Sequence, residues 1–286
     1  MSRIVYVNGA YLPEEKAKIS VFDRGFLFAD GVYEVSSVLR GKLIDNQGHL
    51  ARLQRSLGEL DMAAPASDAE IETIQKTLIE KNSVDEGLVY LQVTRGAADR
   101  DFSYPEGVKP SLVMFTQQKN VIASPQASEG ISVVSVDDIR WKRRDIKSVG
   151  LLAPCMAKMQ AKAAGADDAW LVEDGYVTEG SSNNAFIVNA EGDLVTRQLG
   201  NEILAGITRK VVLKLAQEQR IKIEQRPFTV QEAFHAREAF ITSATTFVMP
   251  VISIDGNPVA DGKPGEVTRR LRELYIETAL DSIGER

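Results

Sequence analysis

Cysteine and histidine are nearly missing from this chain: Cys155 is the single thiol among 286 residues, and His49 and His235 are the two imidazoles. One thiol excludes an intrachain disulfide, and so few sulfur and imidazole ligands argue against a zinc-type centre, so no metal is expected. No apolar run is long enough to span a bilayer, and the opening MSRIVYVNGAYLPEEK lacks the apolar core and small-residue cleavage site of a secretion signal. The expectation is therefore a cytoplasmic protein without a membrane partner. Excess positive charge is also lacking, and a net charge of -6 argues against nucleic acid as the main partner. Neither a GxGxxG nor a GxxxxGK[ST] run occurs, which removes the two commonest glycine-rich phosphate loops.

What is present suffices for two cores. With 44% hydrophobic residues over 286 positions, the chain exceeds the size at which one core usually stops growing. The polar, Pro/Gly-bearing stretch QQKNVIASPQASEG marks the boundary, giving an N-terminal domain over 1–118, a linker at 119–128 and a C-terminal domain over 129–286. Alternating runs bracket an Asn8-Gly9 turn and continue from Val32 to Leu39, reading as hairpins. Leu50, Leu53, Leu57 and Leu60 then recur at helical spacing, and Ser67 with Glu70 three residues on reads as a capping box. Residues 96–110, GAADRDFSYPEGVKP, read as a long polar and aromatic surface loop. Hairpins with scattered helices in two lobes give an α+β fold.

Two segments carry the chemistry. In DIRWKRRDIKSVG, Lys147 follows Ile139, Trp141 and Ile146 interleaved with cations, so an apolar wall flanked by positive charge is expected around it. Such a setting lowers an ammonium's proton affinity, and a neutral amine forms a Schiff base with an aldehyde. The same composition also describes a solvated basic face. In VTEGSSNNAF, Glu179 stands in a short polar loop, 178–184, between two strand-like runs. Pyridoxal phosphate requires such groups: a lysine for its aldehyde, an acid for its ring nitrogen, and small residues for its phosphate. Gly206-Ile207-Thr208 opens a helix, where unpaired N–H groups and the positive dipole end suit an anion, although most such starts bind nothing.

DIKSVGLL, VTEGSSNNAF and EILAGITRKVV resemble the signature segments of the fold-type IV pyridoxal-phosphate enzymes (aminotransferase class IV), most closely the D-amino acid transaminases among them. DRGFLFADGVYEV, YLQVTRG and GEVTRRL extend the resemblance over nearly the whole chain, in order. The resemblance implies two domains with the cofactor between them, the lysine on the C-terminal one. It also implies a homodimer in which the 96–110 loop completes the neighbour's site.

By that resemblance Lys147 holds the cofactor and moves the substrate proton, while Glu179 meets the pyridine nitrogen and Leu204 packs on the ring face. Arg52, from an HxxRL pattern, would bind the phosphate with the N–H groups of Ile207 and Thr208 and the Thr208 hydroxyl. Ala244 stands where a threonine is common, leaving Thr245 to compensate. Tyr33, Arg100 and Ser182 would contact substrate. Phe102 occupies the place of a histidine that assists the arginine, which predicts a weakened carboxylate trap and side activity on (R)-primary amines. The implied reaction is amino transfer between a D-amino acid and a 2-oxo acid. A branched-chain aminotransferase, an aminodeoxychorismate lyase of the same fold, or a non-catalytic relative are the alternatives.

Overall fold

The computed structural model describes residues 2–285 and divides the chain into two compact units. The first comprises the residues up to Asn120 together with Ile146–Gly150, and the second comprises Val121–Asp145 and the residues from Leu151 onward.

A six-stranded antiparallel sheet forms the first unit, in the order Ala10–Pro13, Ile4–Val7, Ser111–Gln118, Gly87–Thr94, Gly31–Leu39 and Lys42–Ile44. Helices Asn46–Glu59 and Asp68–Lys81 pack Leu50, Leu53, Leu57, Ile71 and Leu78 against Val32, Leu91, Val93 and Met114. Side chains alternate across a strand. Tyr33 therefore leaves Gly31–Leu39 on the face opposite Val32 and stacks on Tyr90, which stacks on Phe115, with centroids 5.6 and 4.7 Å apart. Ser67 and Glu70 cap the second helix reciprocally, as their spacing predicts.

In the second unit a nine-stranded sheet runs Ile223–Gln225, Leu194–Thr196, Asn184–Val188, Glu238–Ser243, Phe247–Ile254, Ile131–Asp137, Asp168–Glu173 and Tyr176–Gly180, with Asn257–Pro258 paired to Phe247–Ile254. Ile131–Asp137 and Asp168–Glu173 are parallel, so the chain must cross between them, and helix Leu152–Ala163 makes that crossover. Trp170, Phe186, Phe228 and Phe240 are fully buried in this unit. Asn184–Val188 is buried along its whole length, which explains why its sequence reads as a continuous apolar run rather than an alternating one.

Three sequence expectations differ from this architecture. Ile146–Gly150 was expected in the C-terminal domain, yet it belongs to the first unit. Ile146 is buried among Leu53, Leu57 and Val32, the Tyr33 N–H donates to the Lys147 carbonyl at 3.0 Å, and the Val149 N–H donates to the Gly31 carbonyl at 3.0 Å. A pentapeptide thus pairs with the first sheet against its place in the sequence. Secondly, residues 178–180 belong to strand Tyr176–Gly180 rather than to a loop, because Asp174 and Gly175, both at positive φ, turn the chain back onto Asp168–Glu173. Finally, the stretch expected as a linker divides at residue 120 and carries a short helix, Pro125–Glu129.

Burial of Ile146 is what fixes the lysine segment to the sheet. Ile146→Ala is expected to lower stability by about 2–4 kcal/mol, as for other deep truncations of aliphatic side chains. A drop in the urea midpoint measures it.

Candidate active site

Lys147 is held by its backbone on both sides. Its carbonyl accepts from Tyr33, its N–H points to the Ser56 hydroxyl at 3.5 Å, and Val32 bridges Ser148. The side chain is half-buried, with Nζ 4.2 Å from the centroid of the Tyr33 ring. Among the described residues the amine has no hydrogen-bond or ion-pair partner, so no carboxylate competes for it. The expected apolar wall is not built as the sequence suggests. Ile146 is buried, but Ile139 and Trp141 are exposed.

On the other face of the same strand Glu34 is 2% exposed. Arg52 clasps it bidentately, Nε to Oε1 at 2.8 Å and Nη2 to Oε2 at 2.7 Å, and His49 Nδ1 lies 2.8 Å from Oε2. Burial alone would raise this carboxyl, but Arg52 and His49 outweigh it and hold the pKa at about 2. Glu34 was readable as an ordinary strand residue, and only its pairing with the helix shows that it fixes Arg52.

Glu179 is wholly buried and ends a chain of alternating charge. Arg140 Nη1 donates to its Oε1 at 2.5 Å, and the Asn184 amide and the Leu204 N–H donate to Oε2 at 2.9 and 3.1 Å. Arg140 also pairs with Asp138 at 2.7 Å. Arg144 in turn lies 3.4 Å from Asp138 and 2.7 Å from Glu173. The order is Glu173, Arg144, Asp138, Arg140, Glu179, carboxylates and guanidiniums in alternation, with the cations Lys142 and Arg209 in electrostatic reach of its two ends. Burial pushes the Glu179 carboxyl up against the pull of Arg140. Burial also opposes the Arg140 cation, yet Asp138 and Glu179 overcome it and hold its pKa above the ordinary arginine range. The sequence reading places Arg140 and Arg144 among cations flanking the lysine, whereas both turn inward. Asp138 and Arg140 meet through a local bend beyond the strand, in which the Arg140 N–H and Nε both donate to Asp138 Oδ1 at 3.2 and 2.9 Å.

The remaining expected groups of the second unit sit at loop ends. Gly206 precedes helix Ile207–Glu218 with no side-chain cap, so the first-turn N–H groups of Ile207 and Thr208 are not satisfied by a capping side chain. A Cβ at Gly206 would collide with the Asn184 amide oxygen, so only glycine allows this approach. Thr208 is buried, and Leu204 is half-buried while its N–H binds Glu179. Ala244 and Thr245 lie in the turn joining Glu238–Ser243 to Phe247–Ile254, where Ser243 and Thr246 bond each other at 2.7 Å. Phe247 closes that turn at φ +56°, a conformation bulky residues avoid. Ser182 and Arg100 are exposed.

The model of the amino-transferase class IV family matches residues 31–254. A D-alanine aminotransferase of Staphylococcus aureus is 38% identical over 278 residues, covering 96% of this chain and 98% of that one. That of Bacillus licheniformis is 38% identical over 280 residues, covering 97% and 96%. Among solved structures, a branched-chain amino acid aminotransferase from Escherichia coli superposes with TM-score 0.87 at 22% identity, covering 98% of this chain and 95% of that one. A branched-chain aminotransferase from Thermoproteus uzoniensis, with norvaline, gives TM-score 0.87 at 26% identity, covering 98% and 96%.

The chain belongs to the class IV aminotransferases. It is a pyridoxal-phosphate-dependent transaminase, taking an amino group from a donor and passing it to an oxo-acid acceptor. The kinds of group that cofactor requires are present in each unit taken by itself: in the first an amine without a hydrogen-bond or ion-pair partner among the described residues, and in the second a buried carboxylate with fixed donors and a helix start without a side-chain cap.

Glu34 sets a pH dependence. Its folded pKa lies below its ordinary 4.5, so the stability it confers is present in full above pH 4.5 and is lost as pH falls toward about 2. A displacement of that size corresponds to on the order of 3 kcal/mol. Glu34→Gln is expected to flatten the acid limb of a stability–pH curve while lowering its plateau, because Arg52 is left buried without its counter-charge.

Proposed function

We propose that this enzyme moves an amino group between a D-amino acid, such as D-alanine or D-glutamate, and a 2-oxo acid, pyruvate or 2-oxoglutarate, in ping-pong fashion. The observation that carries the reading is the near-full-length likeness to D-alanine aminotransferases at 38% identity. The branched-chain enzymes resemble the chain in fold at lower identity.

Lys147 would hold the cofactor through its amine and, when released from it, would take and return the proton of the substrate Cα. When bound, pyridoxal phosphate supplies an electron sink for the pair left by the broken Cα–H bond. Glu179 would hold the cofactor's ring nitrogen, its carboxylate kept in direction by Arg140, Asn184 and the Leu204 N–H. Arg52, the backbone N–H groups of Ile207 and Thr208, the Thr208 hydroxyl and the 244–245 turn hold the phosphate. Glu34 and His49 keep the Arg52 side chain in one rotamer. Leu204 covers the ring face. Tyr33, Arg100 and Ser182 meet the substrate, with the Arg100 guanidinium taking the α-carboxylate. Because Phe102 brings no donor, (R)-primary amines are accepted as minor substrates.

Two copies assemble in this reading, the 96–110 loop of one serving the other. Exposed apolar side chains support it: Val21, Phe22 and Phe26 on one segment, and Leu152, Met156 and Met159 along one stripe of helix Leu152–Ala163. The enzyme works in the cytoplasm, a setting that the exposed thiol of Cys155 suits.

Purified enzyme is expected to absorb near the visible edge and to turn over D-alanine with 2-oxoglutarate. Lys147→Ala should lose about 10²–10⁴-fold in rate through loss of the proton carrier alone. A colourless protein would favour the non-catalytic reading. In a panel of D-amino acids, L-amino acids and (R)-1-phenylethylamine, a preference for L-substrates replaces this reading with the branched-chain one, and silence with the amine removes the side activity.

A further inference from the structure

The base of the 96–110 loop is fastened by the Arg24 N–H donating to the Gly96 carbonyl at 2.8 Å and the Ala98 N–H to the Phe22 carbonyl at 3.2 Å, and a further backbone atom holds its exposed tip. The Asp101 carbonyl accepts from Arg24 Nη1 at 2.6 Å. Arg24 is itself buried and bound to Asp30 at 2.7 Å, and Asp30 also receives Arg95 at 2.8 Å. On either side of that fixed point, Arg100 and Phe102 turn toward the same ring. The Arg100 Cζ lies 5.3 Å from the Phe28 centroid and 5.5 Å from that of Phe102, and the two rings are 5.5 Å apart at 60°. The three groups close a triangle. Arg24 covers Phe28 at 4.6 Å, and Arg95 lies 3.5 Å from the Tyr104 centroid, so the whole tip is organised by arginine–aromatic contacts.

Phe102 is 78% exposed and can serve no core. Its ring has no hydrogen-bond donor, so it cannot bind a carboxylate itself. A guanidinium gathered between ring faces keeps its in-plane N–H edge open, and that edge is what a carboxylate engages in a two-pronged bond. A long exposed side chain ordered before binding also loses less rotamer freedom when the ligand arrives. We infer that Phe102, together with Phe28, is a positioning residue that holds Arg100 ready for the substrate carboxylate, in place of a second donor. The inference rests on the reading of Arg100 as the carboxylate anchor.

Interactions made equally in the ground and transition states act on KM and leave kcat alone. Phe102→Ala in the holoenzyme should therefore raise KM for D-alanine about two- to fivefold, the factor matching one exposed cation–π contact, with kcat, melting temperature and oligomeric mass unchanged. Phe102→Tyr, which keeps the ring face, should restore KM. Phe102→Leu, apolar but without a ring, should behave like the alanine variant. The inference is overturned if Phe102→Ala or Phe102→Leu leaves KM at the native value, if kcat falls in step, or if the assembly dissociates. Arg100→Ala separates the two levels. If it raises KM strongly while the Phe102 variants do nothing, the positioning role alone fails; if it also leaves KM unchanged, the anchor reading fails and this inference goes with it.

Discussion

Everything about the candidate site in the second unit depends on a carboxylate being kept in a place without water. Glu179 has no solvent to stabilise its charge, and a buried unpaired acid would take up a proton instead. The alternation from Glu173 through Arg144, Asp138 and Arg140 opposes this by matching each charge with an opposite one within 3.4 Å, although burial still leaves the Glu179 carboxyl raised. Glu173 reaches the surface, so the chain begins in water and ends in the interior. The amide of Asn184 and the N–H of Leu204 fix the last carboxylate in direction.

The first unit uses a different economy of means. One strand, Gly31–Leu39, sends Tyr33 to one face and Glu34 to the other. Tyr33 lies against the lysine, and Glu34 holds an arginine from the neighbouring helix. Two adjacent residues therefore position two cations, Lys147 and Arg52, and a one-residue slip in register would exchange their surroundings. Eight consecutive pairs with Gly87–Thr94 make such a slip costly.

Much of this was legible in the chain itself. Leucines at helical spacing gave helix Asn46–Glu59, the Ser67–Glu70 pair gave its neighbour's start, and the order of motifs gave the family. What stayed hidden was pairing across sequence distance. Arg140 and Arg144 look like a basic face until Glu179 and Glu173, some 30 to 40 residues on, turn them inward. Glu34 looks unremarkable on its strand until Arg52 meets it. Composition counts charges but does not say which are neutralised, and periodicity describes a strand's faces without naming what lies opposite. The same limit explains why Ile146–Gly150 was assigned by its neighbours in sequence rather than by its hydrogen bonds.

That borrowed pentapeptide bears on how the protein is made. As synthesis proceeds, residues up to Asn120 emerge well before Ile146, so the nascent sheet must wait with an open slot beside Leu53 and Leu57 until the missing piece arrives. A fragment cut at the apparent boundary would lack that piece for good. The N-terminal half of the gene, expressed alone, does not encode a whole unit, whereas the residues from Val121 onward contain all of the second one.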